Sequence, residues 1–219
     1  MDADPATAMR SIDRLSARVF LGLRQGRVAQ QDVVELACEL LDWGHSGEAV
    51  REAVERNPAQ VPEPEMAGLA QRILEETGFD PGFDLAPERL VVLRQALRIA
   101  ARDLPTAGIT GDPRLVVMED FLPLSAGVEL ADGRLLVGDV GLHACTGDTL
   151  VGAVATVADL IQDDLMKRTW LVWPVCPEHQ LGLHAVTRED AAVWRCAGGG
   201  GHVAAPVGEL AQGSHHPRN

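Results

Sequence analysis

The chain has 219 residues, 46% of them hydrophobic, enough to bury a sizeable core. Its 32 acidic and 19 basic residues give a net charge of −13, which repels polyanions and argues against broad nucleic-acid or anionic-membrane binding. No uninterrupted apolar run approaches bilayer length, and the start Met1-Asp2-Ala3-Asp4-Pro5 lacks the basic flank of a signal peptide. Four cysteines then read as metal ligands or buried thiols of a soluble cytoplasmic protein.

Residues 7–78 are predicted to form a helical region. Met9, Ile12, Leu15, Val19 and Leu23 recur at helical spacing, with Arg10, Arg14 and Arg18 on another face and a break at Gly26. A second helix is expected from Asp32 to Trp43, ending at Gly44. Ser46 is placed to cap a third, which stops at Asn57-Pro58. A fourth runs from about Glu65 to Thr77. The segment 78–84 reads as a connector whose Phe79 and Phe83 dock on something.

Residues 79–169 are expected to form an α+β domain. A helix from Pro87 to about Asp103 precedes three short strands: Leu115–Met118, Val128–Leu130 and Arg134–Gly138. Asp132-Gly133 is the hairpin turn between the last two. A long helix follows from Asp148 to Arg168, with Asp148 as its N-cap. The predicted fold class is thus α+β: a helical N-terminal region, a central helix–antiparallel sheet–helix unit and a C-terminal ribbon at 170–211. The tail 212–219 is expected to be disordered.

The strongest chemical signal lies in the C-terminal segment, which reads as alternating strands and tight knuckles. Cys176-Pro177-Glu178-His179 is the first knuckle and Cys196-Ala197-Gly198-Gly199-Gly200-Gly201-His202 the second. Paired Cys/His ligands at short spacing suit tetrahedral zinc, each turn supplying two, so Cys176, His179, Cys196 and His202 are the predicted ligands. Glycines before His202 fit a knuckle because it forces positive φ angles. A hairpin around Arg188-Glu189-Asp190-Ala191 should connect the two knuckles. A ribbon of roughly 40 residues would draw much of its folding free energy from the metal. His184 is the substitute ligand if His179 points away.

The segment resembles a zinc ribbon. The strings Trp173-Pro174-Val175-Cys176-Pro177-Glu178-His179 and Val193-Trp194-Arg195-Cys196 are similar to C-terminal segments of uncharacterised actinobacterial proteins, over about residues 170–210. The resemblance implies a structural zinc ion, since four protein ligands leave no open position. Zinc ribbons as a class bind nucleic acids or proteins, or merely stabilise.

Other constellations are weaker. Cys145, beside His143 and Asp139 at the start of a long helix, could form a Cys–His–Asp set, although a glycine turn around a buried thiol explains the same residues. Glu119 and Asp120, with Asp112, could form an acidic site, but neighbours on a strand point to opposite faces. Arg10, Arg14, Arg18, Arg24 and Arg27 make the first helix locally basic. Trp173 and Trp194 could stack bases, with only Arg188 and Arg195 to meet phosphates, or form core.

The leading expectation is a non-enzymatic cytoplasmic accessory protein that works through another protein. Nucleic-acid binding through the ribbon and the basic first helix is the alternative. An enzyme with a site near Cys145 or Asp120 is the third.

Overall fold

A computed structural model describes residues 5–118, 124–170 and 172–211. The chain divides into two compact units, residues 1–81 and residues 82–219. As expected, the fold class is α+β, with six α-helices and two small antiparallel sheets of three strands among the described residues. Among the described residues no helix is long and apolar enough to cross a bilayer.

The first unit is helical: α1 (Pro5–Arg24), α2 (Gln30–Asp42), α3 (Glu48–Glu55) and α4 (Glu63–Glu76). Their apolar stripes, including Leu15, Val19, Leu36, Leu40, Met66 and Ile73, meet in one core. Ser46 does not cap α3. Gly47 is its N-cap, and the Glu76 carboxylate, arriving from α4, accepts the Ala49 backbone N–H at 3.0 Å. A Cβ on Gly47 would lie 2.1 Å from the same carboxylate, so glycine is what admits this tertiary cap. Of the two connector phenylalanines, Phe79 packs on Phe20 within the first unit, with ring centroids 5.9 Å apart, and Phe83 is buried within the second.

The second unit begins with α5 (Glu88–Ala100), which tightens into a 3₁₀ stretch, Ala101–Ala107, containing Pro105. The first sheet has the order β1 (Arg114–Met118), β2 (Ser125–Glu129), β3 (Leu135–Leu136). Its last two strands join at the predicted turn, where the Asp132 carboxylate accepts the Arg134 N–H at 3.1 Å and Gly133 takes φ 84°. Helix α6 (Leu150–Thr169) starts two residues later than expected. Asp148 instead pairs with Arg89 at 2.6 Å, and Thr149 Oγ1 caps the helix by accepting the Gly152 N–H at 3.2 Å.

The second sheet has the order β4 (Leu183–Arg188), β5 (Ala191–Cys196), β6 (His202–Pro206). The β4–β5 turn lies where the sequence placed it, with Glu189 and Asp190 both at positive φ, as a two-residue hairpin requires. The expected strand before the first knuckle is reduced to a single bridge between Val175 and Gly182. Pro174 and Pro177 lack the N–H groups a longer ladder would need.

This sheet does not stand alone. Trp173, Leu183, Trp194 and Val207 share one core with Leu93, Leu97 and Leu104 of the α5 stretch and Val157 and Ile161 of α6. Two buried polar side chains fasten it. Asp103, fully buried, accepts Trp194 Nε1–H at 2.7 Å, the Gly208 N–H at 2.6 Å and the Leu210 N–H at 2.8 Å. Gln162 of α6 donates to the carbonyls of Trp173, at 2.9 Å, and Leu183. Metal therefore need not supply most of the folding free energy of this segment, because an apolar core already holds it in place.

Replacing Asp103 with Ala would strand three buried donors and should cost about 3 kcal/mol or more of stability in the second unit. Denaturant unfolding followed through tryptophan fluorescence measures this, and a loss below about 1 kcal/mol would contradict the assigned role.

Candidate metal centre

Each knuckle is shaped by its own backbone. In the first, the Cys176 N–H donates to the Leu181 carbonyl at 2.8 Å and the Gln180 N–H to the Cys176 carbonyl at 2.9 Å, with Gln180 at φ 55°. This tight turn brings His179 back over Cys176. In the second, Cys196 ends β5 and His202 opens β6, so strand pairing places them opposite each other. The loop between them uses positive φ at Gly199, Gly200 and Gly201.

All four predicted ligands come together. One ligand atom from each of Cys176, His179, Cys196 and His202 lies within 4.8 Å of the others. Cys176 Sγ is 3.6 Å from His179 Nδ1 and 3.7 Å from His202 Nε2, and Cys196 Sγ is 3.7 Å from His179 Nδ1. A tetrahedral ion at ordinary metal–sulfur and metal–nitrogen distances sets S···N edges of about 3.5–3.6 Å. The donor set thus fits a metal ion, with His179 offering Nδ1 and His202 offering Nε2. His184 lies on β4 outside this cluster, with its side chain exposed.

The glycines have a second role that backbone angles alone do not reveal. A Cβ on Gly198 would sit 2.7 Å from His179 Cγ, and one on Gly199 would sit 2.8 Å from His179 Nε2. The loop therefore lies directly on the imidazole and holds its Nδ1 toward the two sulfurs.

Electrostatics differ sharply between the two buried cysteines. Burial pushes the Cys176 thiol up, but the backbone N–H of His179, its ring and the Glu178 N–H outweigh this and bring it to about 6. Burial, reinforced by the neighbouring Cys176 sulfur and Glu178, raises Cys196 above the ordinary thiol value, with the Gly198 N–H at 3.3 Å opposing. Glu178 is an addition to the sequence-derived set: its Oε2 lies 4.0 Å from His202 Nε2, close enough to add negative charge to the centre.

The remaining candidates separate. Cys145 is exposed on a short 3₁₀ turn, Ala144–Gly147, so the buried-thiol reading of this residue does not hold. That turn packs on α5 so closely that a Cβ on Gly147 would lie 2.5 Å from the Arg89 carbonyl oxygen. The Asp139 carboxylate pairs with Lys167 at 3.0 Å, both side chains being exposed. Glu119 and Asp120 lie outside the described residues, as does the tail 212–219. Trp173 and Trp194 are buried and pack edge to face at 5.6 Å, with Trp173 Nε1–H donated to Thr106 Oγ1 at 2.8 Å. They form core, leaving no ring face for a base. Within the basic stripe of α1, Arg18 is met by acids of α2, Asp32 at 3.1 Å and Glu35 at 3.4 Å.

Two outcomes follow. Gly199→Ala combines a strained positive φ with a clash on His179 and should weaken metal affinity by at least about tenfold, read by competition with a chromogenic chelator. Cys176 is largely ionised at neutral pH while Cys196 keeps its proton, so the thiols should release about one proton per metal bound. Affinity should then fall about tenfold for each unit that pH drops from 8.5 to 7, and a pH-independent affinity would contradict the thiol asymmetry. Comparison of the chain with protein-family models, with curated proteins and with solved structures finds no match.

Proposed function

We infer that Cys176, His179, Cys196 and His202 hold a structural zinc ion in a ribbon-like C-terminal sheet, within a non-enzymatic cytoplasmic protein that acts through contacts with another protein. The observation that carries this reading is the four-membered donor set at tetrahedral spacing. Two thiolates balance the charge of a divalent ion, and mixed sulfur and imidazole donors favour zinc over harder cations. With every position taken by protein, no site is left for a water or substrate to be activated. None of the four cysteines, all among the described residues, is joined in a disulfide, which accords with a reducing compartment. The acidic charge favours protein partners over nucleic acid.

The sheet is fastened to its unit by Asp103, Gln162 and a shared core, so the ion acts as a local clamp on the two knuckles. Elemental analysis of purified protein should find one zinc per chain. Cys176→Ser with Cys196→Ser should abolish it while the far-ultraviolet spectrum stays largely helical. Hydrogen exchange should accelerate at 176–182 and 196–203 in that variant. Wild-type protein that folds without metal and takes up none would refute the zinc reading.

A further inference from the structure

Helix α5 turns a basic face to solvent. Residues 89–102 contain four arginines and no aspartate or glutamate. Arg89 is taken by Asp148, but Arg94, Arg98 and Arg102 are exposed, and among the described residues none of the three forms an ion pair. Elsewhere Arg18, Arg56, Arg72, Arg114, Arg134 and Arg168 each meet a carboxylate. A lone unpaired arginine such as Arg51 is ordinary, whereas three in succession on one face are unusual in a chain with 32 acidic residues. The helix itself does not account for them. Arg98 and Arg102 lie at the C-terminal end of α5, where a cation opposes the helix dipole, but that effect fades within one turn and leaves Arg94 unexplained. Each four-residue step advances about 6 Å along the helix, which sets the three guanidinium groups in a row. Gln95, Arg98, Ile99 and Arg102 line an open hollow of about 260 Å³. Val91, 58% exposed, carries the same face one turn further toward the start of the helix.

We propose that this face docks an acidic helix of a partner protein, whose carboxylates pair with Arg94, Arg98 and Arg102 while its apolar side chains rest on Val91 and Ile99. The proposal deepens the reading of a protein that acts through another protein, and rests on it. Charge complementarity selects the occupant. Carboxylates four residues apart on a helix recur at the same rise as the arginines, and a guanidinium fork binds a carboxylate through two parallel hydrogen bonds. A nucleic-acid backbone also carries negative charge, but the exposed residues of this face include no aromatic ring on which a base could stack. Val91 and the half-buried Ile99 lie beside the arginines, where only a partner with apolar side chains gains from them. The acidic charge elsewhere on the chain does not prevent the approach, because at physiological salt it is screened beyond about 8 Å.

Backbone amide shifts of the isotope-labelled full chain, titrated with a synthetic helical peptide bearing glutamate at every fourth position and leucine or alanine between, test this. Saturable shifts should centre on residues 91–102, with a dissociation constant below about 1 mM that rises with salt. The same peptide with glutamine for glutamate should not bind. Arg94→Glu with Arg98→Glu should weaken binding by at least about tenfold. Both positions are exposed, so an unchanged circular dichroism spectrum is expected to confirm an intact fold. Arg51→Glu, at an exposed arginine of α3, is the control for net charge and should leave affinity within about twofold. Absence of saturable shifts, shifts centred elsewhere, or an equal loss from Arg51→Glu overturns the proposal. Tighter binding of a duplex DNA oligonucleotide at the same residues overturns it in favour of nucleic acid. Capture of the same lysate protein by the wild type and by the doubly substituted chain overturns this face alone and leaves the protein-contact reading standing.

Discussion

The second unit depends on one buried carboxylate. Asp103 sits in the 3₁₀ stretch that prolongs α5, without exposure to solvent, and accepts hydrogen bonds from an indole and two backbone N–H groups. Burying a carboxylate is expensive unless donors replace its water, and three convergent donors do so here. Those donors lie 91 to 107 residues away in sequence, on β5 and on the turn after β6. One side chain thereby decides where the C-terminal sheet lies against its helices. Gly208 completes the arrangement: a Cβ there would be 2.6 Å from the Ile99 carbonyl oxygen, so only glycine lets the turn approach α5 and reach Asp103.

This anchoring changes what the Cys/His cluster has to accomplish. In an isolated ribbon a metal would organise the fold. Here the two knuckles leave from strands already held by Asp103, Gln162 and the edge-to-face tryptophan pair. The protein's own contacts thus bring the donors close, and ordering the short knuckle loops is the entropic cost that a bound ion would have to offset. The two thiols differ: backbone N–H groups turned toward Cys176 favour its thiolate, while burial and the neighbouring sulfur disfavour the Cys196 anion.

Much of the helical framework was legible because it rests on local signals. Apolar spacing located α1, α2 and α4, Asp132-Gly133 located a hairpin, and Cys-x-x-His with a glycine-rich partner loop located the donor cluster. The errors fell where a tertiary contact outcompeted a local one. Ser46 lost the cap of α3 to Glu76, and Asp148 lost the cap of α6 once Arg89 engaged it. Trp173 and Trp194 look alike as flanks of a nucleic-acid platform or as core, and only their packing against α5 and α6 distinguishes the two.

The sequence by itself determined which residue types could gather a metal and which backbone angles the knuckles would need, because both follow from short spacings and from glycine. It also settled the mixed helical and antiparallel architecture, through periods that change along the chain. Tertiary structure decided the rest. It set His179 in the cluster and His184 outside it, gave the glycines their contact with the imidazole, and joined the C-terminal sheet to α5 and α6 through Asp103 and Gln162. No local pattern marks an aspartate or a glutamine for burial, since the donors and carbonyls that make such burial tolerable come from segments far away in the chain.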